Sequence, residues 1–206
     1  MGGGPSHSDS EPQENFDNIN EKEPCAPITI SYPDYYVSGD DILQSDIDYA
    51  QSTFQIITSG FMTGPFVERT KDPNFVHKST TTWFYEAFYE DFFRRCPDVR
   101  PMFANVSMFT QGKLLVGALS LSLDILHKPE VVNQRLRSLA LRHNGLGVKV
   151  EHYGAFGDSL FAAMALVLGP LCDEPTKKAW VKLYSYMIGV MIPLSLEYYG
   201  SGKAAK

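Results

Sequence analysis

Apolar residues recur every three or four positions along most of this chain, and that spacing commits it to helices. Ile47, Ala50, Phe54 and Ile57 form one such stripe, in a helix that Ser45 opens with Asp48 as capping partner and Gly60 closes. Residues 80–95 are crowded with aromatics, among them Trp83, Phe84, Tyr85, Phe88, Tyr89, Phe92 and Phe93, and Pro97 stops that helix because the residue before a proline avoids the helical region. A short turn runs to Phe103, and residues 108–126 then place Gln111, Leu115, Ala118, Ser122 and Ile125 on one side. Pro129 suits a first helical position, and Val132, Leu136, Leu139 and His143 follow it inward until Asn144-Gly145 closes the helix. Residues 149–168 point Tyr153, Phe156, Leu160, Ala163 and Val167 inward, and a last helix over 176–199 starts behind Asp173 and Pro175. No alternating strand pattern and no internal repeat intervenes. The expectation is an all-α fold of six main helices and one short one.

Residues 60–79 are too long for an ordinary connection between helices, so they form an insertion: a lid, a docking surface or a plain elaboration. Residues 1–44 are polar, acidic and poor in apolar side chains, which predicts a disordered N-terminal extension. Residues 45–200 are the foldable domain, and 201–206 a flexible tail. Met1-Gly2 with Ser6 fits an N-myristoylation pattern, and a glycine-rich start without lipid fits the same letters; both readings stay open. One acyl chain followed by acidic sequence gives at most weak membrane association.

The formal charge of −6 argues against nucleic acid, which would need a basic stripe. Cys25, Cys96 and Cys172 are an odd number at wide spacing, so reduced thiols and a cytoplasmic setting are expected, with membrane attachment only through an acylated Gly2. No long run of uncharged apolar residues reads as a transmembrane helix, and the N-terminus lacks the apolar core of a secretory signal.

His143 is the last inward residue of its stripe. A lone histidine on an apolar face is more often a hydrogen-bonded core residue than a metal ligand. An imidazole at a greasy helix end, with a packed helix to follow, is also what an iron porphyrin needs as its protein ligand. His152 sits beside a helix start in the same turn as Glu151 and reads as exposed; His127 lies in a loop and His77 in the insertion.

Three stretches in order decide between these readings. FYEDFFRRCPDVRPMF, MFTQGKLL and LRHNGLGVKVEHYGAFG resemble the second helix, the distal helix and the proximal segment of the globins, closest to bacterial single-domain haemoglobins and the haem domain of flavohaemoglobins. The resemblance spans residues 46–199. It implies the three-on-three helical sandwich and one haem b, with His143 as the iron ligand, Phe103 stacking on the haem, Tyr89 and Gln111 as distal donors, Leu115 as the pocket floor and Tyr153 beside the proximal histidine. Taken singly, Tyr89 is a core aromatic and Gln111 a solvated amide; their joint register with His143 reverses that. With Gln at position 111, no second axial histidine is evident, so an open or water-bound sixth site is expected.

The family's flavohaemoglobin branch joins a carboxylate to the proximal histidine through a tyrosine. Tyr153 matches that tyrosine, but Ser195 falls where the glutamate belongs, and Glu197 lies about 200° round the helix. A carboxylate on the ligand's other nitrogen strengthens imidazole as a donor, and serine cannot. No flavin or nicotinamide segment occurs in these 206 residues. The leading expectation is a ferrous-haem binder of O2, with CO and NO as further ligands, for sensing, storage or scavenging. A nitric oxide dioxygenase served by a separate reductase and a haem-free helical interaction module are the alternatives.

Overall fold

The computed structural model describes Met1, residues 32–39 and residues 41–202. Gly2, Cys25 and most of the N-terminal extension lie outside the described residues, as does most of the C-terminal tail.

Seven α-helices account for most of the described residues: α1 Gln44–Thr58, α2 Gly64–Arg69, α3 Thr80–Arg95, α4 Met108–Ile125, α5 Pro129–Gly145, α6 Val150–Leu168 and α7 Glu174–Gly200. A 3-10 helix over Pro97–Phe103 joins α3 to α4. No strand occurs among the described residues. α3 lies across α6, while α1 and α5 lie across α7; α4 rests on α1 and α3. The result is the globin arrangement, one layer of α1, α4 and α5 on another of α3, α6 and α7. Phe84, Phe88, Ile57, Leu160, Met164 and Ile188 are fully buried at its centre. Aromatic edges set much of this packing, with Phe54 against Phe84 and Trp180, and the Trp180 indole donating to Thr53 Oγ1 at 3.1 Å.

Local signals placed most boundaries. Ser79 caps α3 by accepting from Thr82 N, and Asp173 caps α7 by accepting from Thr176 N, each at about one turn's reach. The start of α1 differs from expectation: Leu43 is the N-cap, and Asp46, not Asp48, accepts its amide at 3.0 Å. The left-handed residue after α5 is Gly147, with φ 84°, rather than Gly145, which is still helical. Of the expected stripe on α4, Leu115 alone is buried, joined by Leu119 and Leu123; Ala118 is exposed, Ser122 half-buried, and Ile125 half-buried against the core. That helix is apolar nearly all round, so periodicity could not select its buried face.

The insertion is docked. Thr63 is wholly buried, caps α2 through Phe66 N and donates to Val167 O at 2.7 Å. Phe66 packs on Phe75 and Trp83, which ties residues 60–79 to the start of α3. Residues 32–39, assigned by composition to the extension, lie against α6 and α7: Tyr35 donates to Gly154 O at 2.9 Å, and Val37 N donates to Ser185 Oγ at 3.2 Å. α6 and α7 are, contrary to expectation, long and apolar enough to cross a membrane, and here Leu160, Met164, Ile188 and Ile192 from them supply the centre of the helical core.

Candidate functional site

His143 sits in the last turn of α5 and is half-buried. Its Nδ1 lies 3.0 Å from the carbonyl oxygen of Leu139, one turn back. A carbonyl only accepts, so Nδ1 carries the proton and Nε2 presents a lone pair. No partner for Nε2 occurs among the described residues. Burial pushes the imidazole below its ordinary pKa and keeps it neutral, the form that coordinates a metal. The Tyr153 ring lies beside it, with centroids 6.4 Å apart and planes 18° from parallel.

Behind Tyr153 is a buried network without charge. Ser195 Oγ has two acceptors for its one proton, Asn144 Oδ1 at 2.8 Å and Met191 O at 3.2 Å, so toward Tyr153 it accepts, and the Tyr153 hydroxyl donates to it at 3.3 Å. Ser195 thus stands at Tyr153 as the register implied, and Glu197 is exposed. Asn144, which as a residue type marks only a helix end, is a buried member of this network. Its signal was present: Val132, Leu136, Ala140 and Asn144 recur at intervals of four, and these are the buried residues of α5.

Tyr89 on α3, Phe103 at the end of the 3-10 helix, and Gln111 and Leu115 on α4 line one region of the structure. Tyr89 and Leu115 are buried, Gln111 and Phe103 half-buried. Tyr89 meets Phe103 edge-on at 5.7 Å, and its hydroxyl donates to the Gln111 backbone carbonyl at 3.4 Å. That bond is long and therefore weak, leaving the phenol available to a nearer acceptor. Burial raises the phenol pKa to about 12, so it stays a donor through the neutral range. Gly112, next to Gln111, is obligatory for the packing, because a Cβ there would run into the Tyr85 ring. Half-buried apolar side chains recur around these residues and around His143, including Phe103, Met108 and Val116, Leu139 on α5 and Val148 in the loop after it.

His152 is buried, not exposed as expected. Lys149 N donates to its Nδ1 at 3.1 Å, and its Nε2–H donates to Asp98 Oδ2 at 3.0 Å. Both nitrogens are therefore committed to capping α6 and fastening it to the 3-10 helix, and His152 offers no lone pair to a metal. His77 pairs with Glu86 at the edge of the Phe75–Trp83 cluster. Among the described residues, no three His, Cys, Asp or Glu side chains converge as an ion's ligand set.

The globin family model matches residues 86–191, just over half of the chain and all of the elements from the middle of α3 into α7. This chain belongs to the globin family. The flavohemoprotein of Rhodopirellula baltica is 29% identical over 107 residues, covering 51% of this chain and 26% of its own. This chain therefore spans about a quarter of the length of that relative. Among solved structures, an engineered carbene transferase from Rhodothermus marinus superimposes with a TM-score of 0.60 at 17% identity, over 79% of this chain and 99% of that one. A bacterial globin from Campylobacter jejuni superimposes with a TM-score of 0.57 at 24% identity, over 77% of this chain and 99% of that one.

Proposed function

We propose that this chain binds haem b through His143 Nε2 and uses the Tyr89–Gln111 side to hold a diatomic ligand, O2 first, with CO and NO as further ligands. The observation that carries the reading is the commitment of Nδ1 to Leu139 O beside an Nε2 that has no partner among the described residues. A porphyrin supplies the four in-plane nitrogens that the protein does not, so a single histidine suffices. Bound haem would supply a ferrous centre open to such ligands. The chain's own part is to hold the imidazole in one tautomer, surround the site with Phe103, Leu115 and Leu139, and aim donors at a ligand that carries partial negative charge.

The proximal network favours binding over dedicated oxygen chemistry. Leu139 O, Ser195 and Asn144 are neutral, so among the described residues His143 has no carboxylate partner to push electron density onto it. Nitric oxide dioxygenation with a separate reductase is the second reading, favoured by the flavohemoprotein relatives.

Titrating haem into purified protein, with absorption spectra of the ferrous, O2 and CO forms, tests the reading. A one-to-one complex with a histidine-ligated spectrum is expected, lost or grossly weakened in His143→Ala. An unchanged spectrum in that variant overturns the assignment. Nitric oxide consumption with NADH and a reductase separates the two functions.

A further inference from the structure

We propose that Tyr35, in the segment before α1, is a positioning residue for His143: it clamps the α6 backbone at the residue whose ring lies on the His143 imidazole. This rests on the reading of His143 as the ligand.

The Tyr35 hydroxyl donates to Gly154 O at 2.9 Å and lies 3.5 Å from Tyr153 O. The buried Tyr184 hydroxyl donates to Tyr153 O from the α7 side at 2.6 Å. In a helix those carbonyls already accept the amides four residues on, so the two phenols are second donors at neighbouring peptide groups. The first turns of α6 are thus held from two directions, and Tyr153 projects from between them to lie 6.4 Å from His143, centroid to centroid. A shift of this backbone moves the Tyr153 ring and the imidazole packed against it.

The seat of the segment is built for it. A Cβ at Gly157 would overlap the Tyr35 hydroxyl, one at Gly154 would stand 3.3 Å from Pro33, and one at Gly189 3.1 Å from the Tyr36 hydroxyl. Glycine weakens a helix interior relative to alanine, so three glycines on α6 and α7, each under one residue of the segment, mark close approach. Tyr35 is further fixed edge-on to Phe161 at 5.2 Å, and Val37 N is held by Ser185.

Tyr35→Phe keeps the ring and deletes the clamp; Tyr32→Phe is the control, since Tyr32 stacks on Tyr36 and donates nothing to α6. In haem-free full-length protein, Tyr35→Phe is expected to shift the His143 ring-nitrogen resonances and to speed amide exchange at Gly157 and Asp158 by about 2- to 10-fold. In the haem-loaded protein it is expected to shift the iron–histidine stretching frequency and to speed haem loss to a scavenger by about 2- to 10-fold. Tyr32→Phe is expected to change none of these. Faster amide exchange with unmoved His143 resonances would mean that Tyr35 only fastens the segment, and overturns the proposal. If the wild-type protein takes up no haem, the ligand reading fails, while the haem-free resonances still decide the role of Tyr35.

Discussion

Ser195 donates its hydroxyl to Asn144 Oδ1 at 2.8 Å, joining the C-terminal part of α7 to the residue that follows His143. Both side chains are buried, and Asn144 reaches further to Leu194 O. The bond ties the last turn of α5, which carries His143, to α7.

Ser195→Ala removes the acceptor of Tyr153 and the donor of Asn144 together. Leaving buried polar groups unpaired costs about 1–3 kcal/mol, which for a chain of this size is a fall of roughly 2 to 12 °C in Tm. Thermal unfolding followed by circular dichroism measures it. An unchanged Tm would show that Asn144 and Tyr153 find each other without the serine.

Tyr89→Phe should speed O2 release by roughly 10- to 100-fold, the effect of losing a donor worth ~1.5–3 kcal/mol to a partly charged ligand, and should change CO release much less. Gln111→Leu should act in the same direction, and the double variant should be less than additive if both donors serve one ligand. Stopped-flow replacement of O2 by CO is the measurement. A wild-type release rate in Tyr89→Phe would make Tyr89 a core aromatic with its proton left on Gln111 O.

His152→Ala separates capping from ligation. It removes the acceptor of Lys149 N and the donor to Asp98, for a loss of about 0.5–2 kcal/mol of stability. Haem uptake should survive, in contrast to His143→Ala. Chemical denaturation and a haem titration of the same preparation test both halves, and loss of haem with intact stability would reverse the two histidines' roles.

Alkaline conditions should unfold this protein early. Burial raises the pKa of Tyr35, Tyr89 and Tyr184, to about 12 for Tyr89, while an unfolded tyrosine ionises near 10. Between those values the unfolded chain holds fewer protons than the folded one, so stability is full below pH 10 and falls as pH rises toward 12. Urea midpoints measured from pH 8 to 11.5 should fall steeply only above 10, and less steeply in Tyr89→Phe.

Helix positions, most caps and the order of the motifs were legible in the residues themselves, because a helix is decided within four positions. Spacing put Ile47, Ala50, Phe54 and Ile57 inside, Pro97 ended α3, and Asp173 began α7. The register of Tyr89, Gln111 and His143 came from the resemblance to the globins and not from spacing; in the structure the Tyr89 hydroxyl meets the Gln111 backbone carbonyl. Which side of α4 faces inward was not legible, since its apolar residues surround the axis and only contact with α1 and α3 selects Leu119 and Leu123. Likewise His152 looked exposed because its partner Asp98 stands 54 residues away, and the use of Asn144 depends on Ser195, 51 residues on. Tyr35 belongs to a stretch whose composition carries no helical signal, and it takes a place only because glycines on α6 and α7 leave one. Sequence alone determined the six long helices and the histidine at the end of α5, though not the short α2 inside the insertion; the tertiary structure decided which polar atoms meet, because hydrogen bonds across helices depend on how the helices cross and not on any local pattern.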